Sequence, residues 1–165
     1  MKNLAALLLG GLIVAACGSN TSSMMSPAPT SPSTPATLSG SWSGTSKDST
    51  GQNSLSWTVT QNGTNLTGTM NVSDSGIGMM GSGTMSGTVN GQMVAFHMAV
   101  PSGGFSGAMS PCAMGLDGQA TMSADGHTMT GTYSGSMSGM MAGGMMGPMQ
   151  PCGGSVTSGQ FTLTR

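Results

Sequence analysis

Two histidines, four aspartates and no glutamate are the imidazoles and side-chain carboxyls that this 165-residue chain offers for acid–base chemistry. His97 falls on the polar side of an alternating segment, and His127 follows Asp125-Gly126 in a turn. A histidine beside a turn aspartate ordinarily makes a surface hydrogen bond. Serines are abundant, yet none sits in a nucleophile-elbow pattern, and no pair of carboxylates is spaced for hydrolysis. The glycine-rich run 76–83 lacks the lysine and following helix of a phosphate-binding loop. No enzyme, cofactor or catalytic residue is therefore expected. The unusual chemistry is soft sulfur: nineteen methionines and three cysteines, Cys17, Cys112 and Cys152.

These residues are placed by three stretches of different character. Lys2 and the apolar run from Leu4 to Ala16 have the charge and length of a signal-peptide core. The run is shorter than the roughly 17–25 residues of a membrane span. It ends in Val14-Ala15-Ala16-Cys17, which resembles the lipobox of bacterial lipoproteins. That resemblance implies cleavage after residue 16 and a diacylated N-terminal Cys17. An ordinary secretory signal with an incidental cysteine is the alternative. Gly18 follows, where an aspartate would resemble an inner-membrane retention signal. The expected address is thus the outer membrane, reached by export, with the membrane itself as partner through the lipid. Residues 17–37 carry serine, threonine and four prolines, a composition that gives a semi-rigid extended spacer.

Residues 38–165 read differently. Serine or threonine recurs at nearly every second position, with apolar residues or glycine between them, and this period of two is the mark of β-strands. Eight strands are expected, beginning with Leu38 to Thr45 and centred afterwards on Trp57, Met70, Met85, Phe96, Ala120, Gly131 and Leu163. Asn62-Gly63, Asn90-Gly91 and Asp125-Gly126 are tight-hairpin signals. They join strands two to three, four to five and six to seven. The other connections, near 46–53, 74–82, 101–115 and 136–158, read as longer and fall at the opposite end. One tight end and one loose end define an all-β, eight-stranded antiparallel up-and-down β-barrel with a mouth.

Gly40-Ser41-Trp42 in the first strand resembles the G-x-W of the lipocalin and avidin-like barrels. The resemblance implies that an arginine near the last strand packs across that tryptophan at the closed end. Arg165 has the matching position, so Gly40, Trp42 and Arg165 are expected to form a plug. A guanidinium over an indole contributes about 0.5–2 kcal/mol, depending on desolvation. The later tryptophans of an avidin pocket and the second lipocalin motif are both missing, which disfavours biotin as ligand.

On this layout Met70, Met85, Met98, Met122 and Met129 point inward as core filler. Met79, Met80, Met109, Met114, Met137, Met140, Met141, Met145, Met146 and Met149 fall in the mouth loops. Thioethers there suit soft Cu(I), a promiscuous apolar surface or the consumption of oxidants. Drift in unconstrained glycine-rich loops accounts for them equally well. With Cys17 acylated, Cys112 and Cys152 have the parity for one disulfide in an oxidising compartment. A zinc site is the rival, poorly served by two cysteines without a histidine pair. Closing so long a loop stabilises by roughly 3–4 kcal/mol in the chain-entropy picture.

Only 4% of residues are charged, and past the leader Lys47 and Arg165 face four aspartates. Nucleic-acid binding needs clustered lysine and arginine, which this chain lacks. The expectation is a non-enzymatic, membrane-anchored barrel that binds a small apolar or amphipathic ligand in or at its mouth. Cu(I) handling by the mouth methionines and a purely structural envelope role stand as alternatives. The anchor is checked directly by mass: the mature protein should begin at Cys17 and carry diacylglycerol, and Cys17→Ala should leave the membrane fraction or remain unprocessed. An unmodified N-terminus elsewhere contradicts this.

Overall fold

The computed structural model describes residues 37–49, 51–74, 79–141, 148–152 and 155–165. The leader, Cys17 and nearly all of the linker lie outside the described residues, as do Met145 and Met146. In chain order the strands are β1 (Gly40–Asp48), β2 (Gly51–Asn62), β3 (Asn65–Asp74), β4 (Met79–Asn90) and β5 (Met93–Val100). They continue with β6 (Ala113–Met122), β7 (Thr128–Ser138), β8 (Met140–Met141), β9 (Gln150–Pro151) and β10 (Ser155–Thr164). Eight of them close an antiparallel barrel in the order β1-β10-β7-β6-β5-β4-β3-β2. β8 and β9 form a separate two-stranded ribbon.

Serine and threonine alternate outward along these strands, and the apolar set alternates inward, because side chains on a pleated strand point to opposite faces. On β2 the inward row is Asn53, Leu55, Trp57 and Val59, all buried between exposed serines and threonines. Gly63, Gly91 and Gly126 take positive φ of 61°, 61° and 73° at the tight end, a region open to glycine at little cost. β1 starts and β10 finishes at that same end, where Gly40 pairs with Val59.

The lumen is filled across its middle by rings. Trp57 on β2 lies 5.1 Å from Phe96 on β5 and 5.1 Å from Phe161 on β10, and Phe96 and Phe161 are 5.6 Å apart. Since β5 stands on the far side of the barrel from β1 and its neighbours, these contacts run across the interior. Glycines make the room. A methyl group on Gly131 would sit 2.4 Å from the Gln119 backbone oxygen and 2.7 Å from both Cε1 and Cζ of Phe161, and one on Gly118 would overlap the Phe96 ring. Gly118 and Gly131 are thus seats for rings, whereas Gly44, Gly68 and Gly83 face the backbone of the neighbouring strand.

The loose end differs from expectation in several places. β1 and β2 stay paired as far as Asp48 opposite Gly51, so most of the expected loop near 46–53 is strand. Ser46 and Asn53 are polar and read as loop, yet they continue the inward row and are buried. β6 starts at Ala113 and β7 runs to Ser138, because the backbone ladder continues through glycine, serine and methionine, which carry weak strand signals. Met79 and Met80 accordingly belong to β4, Met114 to β6, Met137 to β7, and Met140 and Met141 to β8, rather than to free loops. Met109 closes a single 3₁₀ turn, Gly107–Met109.

The ring seats are open to test. Gly131→Ala should lower the unfolding free energy by about 2–3 kcal/mol through overpacking. Thr130→Ala, on the exposed face of the same strand, should change it far less. Denaturant unfolding curves that place the two variants together would contradict the seat.

Candidate functional site

The tight end is plugged. Leu38 and Trp42 are fully buried, and the Trp42 indole N–H donates to Leu38 O at 2.9 Å. The Arg165 guanidinium lies 4.8 Å from the Trp42 ring centroid and donates to Thr37 O at 2.7 Å. It stays exposed, which places the cation–π contribution near the lower end, about 0.5–1 kcal/mol. Gly40 sits beside this pair at φ 132°, and nothing lies within 4 Å of where its side chain would be.

The mouth end is partly covered by the segment joining β5 to β6. Phe105 bridges to Gly81 of β4 and is buried, with Ser82 N–H donating to Gly104 O and Ser106 N–H to Met80 O, each at 2.8 Å. Cys112 and Cys152 form a disulfide with Cα atoms 5.6 Å apart, both sulfurs buried. The bond ties that segment to the chain just beyond β9.

Beneath this cover a cavity of about 50 Å³ remains inside the barrel. Leu55, Val72 and Leu116 give it apolar walls, and Met70, Met98, Met114 and Met137 line it from four different strands. Ser46, Asp48, Asn53 and Tyr133 complete the lining. The Tyr133 hydroxyl donates to Asp48 Oδ2 at 2.7 Å. Ser46 Oγ and Asn53 Oδ1 are buried without a hydrogen-bond partner. Leaving such a group unpaired costs about 1–3 kcal/mol, so a polar occupant is favoured. The volume admits a few water-sized atoms. Pockets for drug-sized ligands run to roughly 300–1,000 Å³.

Burial pushes the Tyr133 phenol well above its ordinary value, and the Asp48 carboxylate adds to the rise. The Ser46 hydroxyl opposes that rise from close by, although it is not in hydrogen-bonding geometry. Trp57 Nε1 is a third buried polar atom without a partner, set among the rings below.

The remaining polar groups are surface features. His97 Nδ1 and Asp117 Oδ1 are 2.8 Å apart on the outer face, with 53% and 81% of their side chains exposed. Asp125 accepts from the Ser123 hydroxyl and the His127 backbone N–H, which hold its carboxyl below the usual range and brace the turn. Of the ten methionines expected at the mouth, Met114 and Met137 reach the cavity, and Met109 and Met141 pack on the core. Met80, Met140 and Met149 are exposed. Ser46, Asn53 and Tyr133 were not expected as site residues; the unbroken inward alternation through Ser46 and Asn53 is the signal that marks them.

Compared with known protein families, curated proteins and solved structures, the chain has no significant match. The barrel and its strand order are consistent with a calycin-like fold. No helix among the described residues is long and apolar enough to cross a membrane.

Tyr133 is the chain's one tyrosine, so its titration can be followed alone. Its folded pKa lies above the model-peptide value of 10.0. The neutral phenol therefore supports folding fully below pH 10 and loses that contribution as pH rises beyond it. Phenolate absorbance should appear only together with unfolding, and Tyr133→Phe should flatten the alkaline loss of stability. Ordinary titration near 10 in the folded protein would contradict the buried Tyr133–Asp48 contact.

Proposed function

We propose that this chain is an exported, lipid-anchored, non-enzymatic lipoprotein with a lipocalin-like barrel that binds a small ligand at its mouth. The leader and Cys17 support the anchor, and the G-x-W tryptophan with Arg165 across it supports the lipocalin-like assignment. One observation carries the binding reading: the cavity beneath the mouth keeps unpartnered polar atoms, Ser46 Oγ and Asn53 Oδ1, inside a barrel otherwise filled by rings. The volume narrows the ligand. It is either a few atoms in size or an amphipathic molecule that inserts one small group and rests the remainder on Met80, Met140 and Met149. A purely structural envelope role leaves Asn53 Oδ1 to water, whereas a bound ligand would pair it.

Native mass spectrometry of full-length protein, released gently from its own membranes, tests this. The wild type should retain a small adduct. Leu116→Phe fills the cavity with a ring and should lose the adduct while the disulfide and the cooperative melt remain. An adduct-free wild type, or one equally retained by the filled variant, removes the mouth as a binding site.

A further inference from the structure

The mouth cavity is lined by groups that offer electron pairs. Met70, Met98, Met114 and Met137 bring thioethers, Asp48 a carboxylate, and Asn53 an amide oxygen that is 5% exposed as a residue and unpartnered. The Tyr133 hydroxyl, one of the few donors, is committed to Asp48. Among the described residues no lysine, arginine or histidine lines it. The four thioethers and the unpartnered amide oxygen suit a soft cation, and about 50 Å³ admits an ion rather than an organic cation of any length.

We infer that this cavity binds one soft monovalent cation of the Cu(I) class. The inference rests on the mouth cavity being the binding site, and it names the ligand. Softness follows from the donors, since thioethers suit Cu(I), whereas calcium and magnesium want a full set of oxygens. Among the described residues no group of three histidines, cysteines, aspartates or glutamates exists to hold a harder metal. Met70 and Met98 are each 1% exposed and fixed by packing, which gives the ion two preorganised side chains. Met114 and Met137 face each other across the β6–β7 ladder and are only partly buried, so they form the entry side. The site therefore combines two methionines read from sequence as core with two read as mouth.

Full-length protein with its disulfide intact and its methionine methyls labelled with carbon-13 is titrated with Ag(I), a redox-inert stand-in for Cu(I). The methyl signals of Met70, Met98, Met114 and Met137 should shift together and saturate at one equivalent. Met114→Leu with Met137→Leu keeps side-chain volume and should weaken binding about tenfold or more. Met93→Leu, at an exposed methionine beside the tight-end turn, should leave the affinity unchanged. If the first pair unfolds the barrel, the wild-type shift pattern decides alone. Shifts confined to exposed methionines, or no saturation at one equivalent, overturn the cation. An adduct that the cavity-filling Leu116→Phe variant abolishes, alongside a failed Ag(I) titration, keeps the mouth site and rejects only its ionic occupant.

Discussion

Packing of three rings across the lumen governs the rest of this structure. Trp57, Phe96 and Phe161 meet from β2, β5 and β10, and an eight-stranded barrel has room for them only where facing positions carry no side chain. Gly118 and Gly131 supply that absence beneath Phe96 and Phe161, and Gly159 supplies it beneath Tyr133. Each buried ring stabilises the fold by about 1.5–3 kcal/mol through removal from water, with further gain from ring–ring geometry. A core built from few rings and many glycines explains how a chain with 29 glycines and 4% aromatic residues still closes on a packed middle.

The ring layer separates two ends with different chemistry. Below it, Leu38, Trp42 and Leu163 are fully buried, and Arg165 holds the first and last strands together through Thr37 and Ser39. Above it, the inward rows turn polar at Ser46 and Asn53, and covalent closure through Cys112–Cys152 holds the cover in place. The outside depends on closure too. Exposed strand edges are usually guarded by charge, and this chain has very little, so a barrel without edges is what keeps a hydroxyl-coated sheet from pairing with its neighbours.

Much of the fold is legible from alternation and turn chemistry. Trp42, Leu55, Trp57, Met70 and Phe96 stand at inward parity in the sequence and are buried, and the Asn-Gly and Asp-Gly turns lie where positive φ is needed. The disulfide follows from counting cysteines, although the cover it anchors does not. Misreadings concentrate where residue character and register part company. Ser46 and Asn53 are polar and carry the character of a loop, yet pairing with Phe161 and Asp74 continues the ladder through them. Met114 and Met137 were read as loop because glycine and serine surround them, although backbone pairing does not depend on those side chains. Phe105 gave no periodic signal, since it lies outside any long strand and is buried by a single bridge to Gly81. Inward glycines leave cavity and close packing equally open in the sequence, because the rings over Gly118, Gly131 and Gly159 come from neighbouring strands.

The barrel is solid through its middle and keeps a cavity of about 50 Å³ under the mouth, with Asn53, Ser46 and the Tyr133–Asp48 pair among its otherwise largely apolar lining. A high-resolution crystal structure of the domain, grown from protein taken from its own host, measures this most directly. The account predicts continuous density for the three rings and a discrete non-protein feature within hydrogen-bonding or coordination distance of Asn53 Oδ1. An open bore between Trp57 and Phe96, or a collapsed mouth with Asn53 turned to bond its own backbone, would contradict it.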